Sequence, residues 1–167
     1  MCIRDRFNSD NSFQHVKLVD YNYVAELVDY FDESMITRNI VDIPYYKQKS
    51  KKIIFKPFKN NMSFKNGKLN ISPTYLENNM LNLNLKGTQT ISDSVDYYMS
   101  FNWKEIKKRN KKEKEDYLEE KEEIKELFLR ITGHLDDLNY RFDREKMKMQ
   151  RVETVSYTHL RAHETLA

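Results

Sequence analysis

The chain has almost none of the residues on which metal and nucleophile chemistry most often depends. Of its 167 residues only one is cysteine, Cys2, and four are histidine. A lone cysteine cannot form a disulfide within the chain, and a zinc site needs three or four ligands. No run of eighteen apolar residues occurs, so the sequence predicts no membrane-spanning helix. The net charge of +3 is too small to indicate a nucleic-acid partner by itself.

Both ends of the chain resemble translated sequencing adapter. "MCIRDR" and "SYTHLRAHET" are strings of this kind, so residues 1–6 and about 155–167 are excluded from functional interpretation. His159 and His163 stand four residues apart, as metal ligands on a helix do, but they lie in this tail and form half a site at best. We therefore expect no metal and no cofactor. We also expect the chain to be a fragment from which a membrane anchor has been lost.

From Asn60 onward the hydrophobic pattern has a period of two, which is typical of strands that bury one face. Asn66-Gly67 lies between two such stretches and predicts a hairpin turn. "LNLNLKGT" and "LFLRITGH" are near copies, which indicates a repeated unit of strand and glycine turn. The apolar positions that converge on one face are Leu81, Leu83, Leu85, Val95, Tyr97, Met99, Phe101, Leu127, Leu129 and Ile131.

Three segments depart from this pattern. Apolar residues at helical spacing predict a short amphipathic helix from about Tyr23 to Asp32. The segment from Pro44 to Lys59 has two prolines and many lysines, and predicts an irregular connection or an edge strand. Residues 104–126 are almost wholly charged and predict a solvated helical or disordered insert. The predicted fold is mainly β with a short N-terminal helix, and its antiparallel sheet of repeating hairpins curls into a groove.

Candidate catalytic groups are few. Asp136 and Asp137 are adjacent, and neighbours on an extended chain point to opposite sides, so a turn is the better interpretation of this pair. His134 follows Gly133 and is also interpreted as a turn residue. The sequence contains no serine elbow, phosphate-cradling glycine loop or dinucleotide fingerprint. We predict that the protein is not an enzyme.

Two stretches together resemble the C-terminal region of AsmA-like proteins of double-membraned bacteria. They are "FKNGKLNISPTYLENNMLNLNLKGTQTISDSVDYYMSF" and, after the charged insert, "ELFLRITGHLDDLNYRFDREK". The order of the "NG", "L-x-L-x-G", "DY" and "I-T-G" motifs carries the resemblance, which covers about Phe13 to Lys148. Leu138 departs from the family, which often has proline after the two aspartates.

The resemblance implies a periplasmic protein anchored in the inner membrane, whose groove passes phospholipids toward the outer membrane and serves outer-membrane assembly. The implied partners are phospholipid acyl chains and other envelope proteins, with no nucleic acid. The ten apolar residues would then be lipid contacts. The period-two pattern alone leaves a second interpretation open, in which another layer covers this face as an ordinary core. A non-catalytic β-sandwich for binding or adhesion is the corresponding alternative function.

Overall fold

The computed structural model describes residues 6–106 and 126–149. The terminal segments, His159, His163 and residues 107–125 of the charged insert lie outside this part. Its elements in chain order are β1 (Arg6–Phe13), β2 (Lys17–Val19), α1 (Asn22–Glu33), α2 (Ile43–Ser50), β3 (Lys52–Ile54), β4 (Phe58–Lys65), β5 (Lys68–Leu76), β6 (Leu83–Thr90), β7 (Ser94–Asn102), α3 (Trp103–Ile106), β8 (Glu126–His134), β9 (Asp137–Phe142) and α4 (residues 144–149). Arg6, which the sequence assigns to adapter, is the first residue of β1.

Seven strands form one open antiparallel sheet in the order β1-β4-β5-β6-β7-β8-β9, and β2 pairs with β3 in a second, two-stranded sheet. The predicted antiparallel, mainly β fold with a short N-terminal helix is therefore confirmed. From β4 to β9 each strand pairs with the next strand along the chain, as repeated hairpins require. β1 is added at the other edge through its pairing with β4.

Turn chemistry fixes the register of these hairpins. Asn66 and Gly67 both have positive φ, at 53° and 71°, so Lys65 pairs directly with Lys68 across a two-residue loop. In β5 the register shifts between Ile71 and Thr74, and Pro73 lies in this irregularity, where its missing N–H costs no ladder bond. The predicted turn role of the aspartate pair also fits, because Asp136 lies in the β8–β9 turn and Asp137 begins β9.

The prediction for the segment from Pro44 to Lys59 is wrong for its first part, whereas its second part contains β3, which is an edge strand of the two-stranded sheet. Its first part is the helix α2, which runs from Ile43 to Ser50 and is followed by β3. The side chain of Asp42 caps α2 by accepting a hydrogen bond from the backbone N–H of Tyr45 at 3.3 Å. Pro44 stands in the first turn, where no intrahelical N–H is needed and its fixed φ favours the helix.

The helices form a layer over one end of the sheet. The apolar stripe of α1, made of Leu27, Val28 and Phe31, is buried. The ring of Phe31 lies 5.7 Å from that of Phe101 in β7 and 6.1 Å from that of Phe142 in β9. An isolated helix of 12 residues is only marginally stable in water, so packing against the sheet supplies most of the stability of α1.

Candidate lipid-contacting surface

Strand register places one continuous set of side chains on the face of the sheet that the helices contact. In the central row Leu85 of β6 pairs with Met99 of β7, Met99 pairs with Leu129 of β8, and Leu129 pairs with Phe142 of β9. Equivalent rows hold the other predicted positions of β6, β7 and β8, since pairing preserves the alternation of faces. The sequence correctly predicts that these strand residues share a face.

This face is divided into a covered half and an open half. The covered half, on β7, β8 and β9, belongs to the core that α1 and α2 complete. Eight of the ten predicted lipid contacts are in this core or packed against it, so the expectation that all ten line an open surface is corrected. The core contains Leu81, Phe101, Leu127, Leu129 and Ile131, and Leu83, Tyr97 and Met99 pack against it. Leu81 precedes β6 rather than lying in it.

The other two predicted contacts lie outside that core. Val95 is buried at the start of β7, at 5 % exposure, and so is not available to a ligand without rearrangement. Leu85 is half-buried. Of the ten residues, Leu85 is therefore the best placed to contact a molecule lying on the sheet.

The open half consists of apolar side chains from β1, β4, β5 and β6 that contribute nothing to the helix-covered core. Register sets them on the same face as Leu85. Phe7 is 53 % exposed, whereas Leu129 in the covered half is fully buried. We name this surface the open half-face; its members are Phe7, Phe13, Phe58, Met62, Phe64, Leu69, Ile71 and Leu85.

Two stacked aromatic pairs mark the outer edge of the open half-face. The rings of Phe7 and Phe64 are 5.7 Å apart, and those of Phe13 and Phe58 are 4.8 Å apart. Each pair joins residues directly opposite each other on β1 and β4. Such cross-strand aromatic pairs stabilise an edge strand while they leave one ring surface toward solvent.

A polar row crosses the open half-face between these two pairs. Asn11 lies opposite Asn60, which is buried and donates a hydrogen bond from Nδ2 to Oγ1 of Thr74. The Oδ1 atom of Asn60 has no protein partner in the described residues. The apolar surface therefore consists of two patches, a larger one around Phe64 and Ile71 and a smaller one around Phe58.

The opposite face of the sheet is mainly polar, although Tyr75, Tyr98 and Phe128 also lie on it, and it carries an ion pair. Nε and Nη2 of Arg130 donate to the two carboxylate oxygens of Asp96, both at 2.8 Å. These hydrogen bonds lower the pKa of Asp96 and raise that of Arg130. The guanidinium also lies over the ring of Tyr98, 5.0 Å from its centroid. The two faces of the sheet thus differ in polarity.

Tyr140 fastens the helix layer to the last strand. Its hydroxyl lies 3.2 Å from a carboxylate oxygen of Glu26 and 3.5 Å from the carbonyl oxygen of Tyr23, both in α1. Burial and the nearby Glu26 raise the pKa of Tyr140. The neutral hydroxyl of Tyr140 therefore connects β9 to α1 through hydrogen bonds.

No group of three or more histidine, cysteine or acidic residues able to hold a metal occurs in residues 6–106 and 126–149. Among the helices in the same part of the chain, none has the length and apolar character needed to cross a membrane.

Sequence reasoning missed most of the open half-face. The alternation of Met62, Phe64, Leu69 and Ile71 about the Asn66-Gly67 turn predicts the hairpin, but these four residues are not among the ten predicted lipid contacts. β1 gave no usable signal, because "RFNSDNSF" has apolar residues only near its ends. Comparison of the chain with protein-family models, with curated proteins and with solved structures finds no match.

Proposed function

We propose that this domain is a segment of an AsmA-like, inner-membrane-anchored periplasmic protein that carries phospholipids toward the outer membrane, and that its open half-face contacts their acyl chains. The observation that carries the proposal is a one-sided apolar surface on four strands, in two patches, outside the domain's own core. The resemblance in motif order supports the proposed family and compartment.

The open half-face is wide enough for part of an acyl chain to lie across it. Four neighbouring strands span about 14 Å at a spacing of about 4.8 Å. Each methylene fully buried contributes about 0.8 kcal/mol. Because the side chains of the open half-face are half-buried or exposed, the domain alone would bury only part of a chain. A low affinity for the acyl chain suits a path along which lipid must move.

The structure changes which residues carry the proposal. The helices α1 and α2 fill the space above β7, β8 and β9, so the lipid path is limited to the β1, β4, β5 and β6 side. Tyr97 and Leu129 thereby become core residues, and Phe64, Ile71 and Leu85 become the central lipid contacts.

The alternative of a β-sandwich binding module makes a different demand on the open half-face. A sandwich needs a second sheet against the first, and in the described ranges the only other sheet is the two-stranded pair β2 and β3. If the open half-face binds another protein in place of lipid, the binding-module alternative is favoured. The absence of catalysis stays a prediction.

Site-specific photo-crosslinking separates these possibilities. A photo-reactive residue is introduced at Phe64 or Leu85, and at Asn84 as the control, which adjoins Leu85 on β6 but points to the polar face. With phospholipid vesicles, we expect Phe64 and Leu85 to trap lipid in clear excess over Asn84. Equal capture at all three positions, or capture of protein alone from Phe64 and Leu85, would defeat the proposal.

A further inference from the structure

A cavity lined by basic side chains lies at the edge of the sheet farthest from the open half-face. There residues of β7, β8 and β9, the end of α1 and the residues of α4 border an open cavity of about 580 Å³. Four cationic side chains line it: Arg130, Arg141, Arg144 and Lys148. Tyr30 and Tyr98 contribute aromatic walls with phenol groups. The acidic residues in the wall are Asp143 and Glu145, so the lining carries a net positive charge.

Register brings two of these cations together. Arg130 of β8 lies directly opposite Arg141 of β9, and both are exposed on the polar face. Like charges directly opposite each other on paired strands are destabilising. Asp96 relieves the repulsion on one side only, because it binds Arg130, whereas Arg141 forms no ion pair with any described residue.

The helical residues repeat the same unfavourable arrangement. Arg144 and Lys148 are four positions apart in α4, where side chains of like charge repel each other. Neither has an ion-pair partner in the part of the chain that the structure describes. Asp143 accepts a hydrogen bond at Oδ1 from the backbone N–H of Lys146 at 3.0 Å and keeps its negative charge, which acts on the nearby Arg130. Glu145 is the remaining acidic residue of the wall.

We propose that this cavity binds a phosphate group. The bidentate pair with Asp96 uses two of the five N–H donors of Arg130, which leaves donors on the same guanidinium for a second anion. A phosphate oxygen pair matches the guanidinium fork of Arg141, and Lys148 adds a point charge. A bound dianion would offset both repulsions at once. The phosphate comes either from a lipid head group or from a soluble phosphate ester.

Soluble ligands test the site without any acyl chain, so the result is independent of the proposed lipid path. The full chain is titrated with inorganic phosphate and with glycerol 3-phosphate, at constant ionic strength, while the arginine Nε–H and backbone signals are followed by NMR. We expect saturable shifts at Arg141 and Tyr98, and none of comparable size with chloride. Absence of saturable shifts with both phosphate ligands would overturn the proposal.

Matched variants separate a site from general electrostatic attraction. Arg141→Gln should weaken phosphate binding about tenfold, because it removes charge-assisted hydrogen bonds. The phosphate affinity of Arg141→Lys should lie between those of wild type and Arg141→Gln, since lysine keeps the charge but lacks the forked pair of N–H donors. Lys59→Gln removes the same charge from distant β4 and should change affinity less than about twofold, since exposed charges are screened beyond about 10 Å. Equal weakening by Arg141→Gln and Lys59→Gln would refute a site at β9.

Vesicle binding then identifies the source of the phosphate. Flotation is compared for phosphatidylcholine vesicles that contain phosphatidic acid or, as a carboxylate control of like charge, oleate. A head-group site predicts that Arg141→Gln reduces binding to the phosphatidic acid vesicles alone and that free phosphate competes. A soluble ester predicts phosphate-dependent NMR shifts together with vesicle binding that Arg141→Gln leaves unchanged.

Discussion

Leu85 and Leu129 provide a matched test of the division between the open and covered halves of the sheet. Both are leucines in the same cross-strand row, separated only by Met99, and both follow the same period-two pattern. They differ in surroundings, since Leu129 is fully buried in the core and Leu85 is half-buried outside it. Truncation of each to alanine therefore removes the same atoms from two environments.

The expected losses of stability differ severalfold. Leu129→Ala leaves a cavity below the helix layer and should cost about 3 to 5 kcal/mol. Leu85→Ala loses only part of a leucine transfer energy and should cost about 1 kcal/mol. Urea unfolding followed by the fluorescence of Trp103, the only tryptophan in the chain, measures both. Losses of stability that agree within about 0.5 kcal/mol, which is the usual error of such comparisons, would refute the division into an open and a covered half.

Three further predictions concern local structure. Gly87→Ala should destabilise the domain by roughly 1 to 3 kcal/mol, because φ is 154° and an added Cβ would collide with the carbonyl oxygen of Asp96. Gly67→Ala brings its Cβ close to no other atom and should cost about 1 kcal/mol or less. Thermal unfolding of the two variants measures the difference. Asp42→Ala should cost about 0.5 to 2 kcal/mol by removing the cap of α2, which urea unfolding measures, and no loss would show that the cap is unimportant. Pairing with Arg130 lowers the pKa of Asp96, so the pair should stabilise the fold by about 1 kcal/mol or less above pH 3.8, and this stabilisation should be lost as the pH falls below that value. The free energies of unfolding of wild type and Arg130→Gln, measured against pH, should therefore converge at low pH.

The strands and α1 could be predicted because their signals are local. The Asn66-Gly67 turn and the alternation from Val95 to Phe101 each define an element without help from distant residues. α2 was missed because its lysines and Pro44 suggest a loop, although Asp42 followed by proline in the first helical turn is a recognised start signal.

The site was only half predictable for a physical reason. Alternation shows that Leu85 and Leu129 share a face, but the same pattern serves a groove and a core. Which of them is covered depends on where α1 packs, and that is decided by long-range contacts such as Phe31 with Phe101. The opposition of Arg130 and Arg141 likewise follows from strand register across the β8–β9 turn.

Paramagnetic broadening by a phospholipid labelled with a nitroxide near the end of its acyl chain tests the central claim most directly. The side-chain methyl signals of the folded protein report proximity to the label without any substitution. We predict strong broadening at Leu69, Ile71 and Leu85 and little at Leu127 and Leu129. Broadening that is absent from the open half-face, or equal on both halves, would contradict an acyl-chain path over β4, β5 and β6.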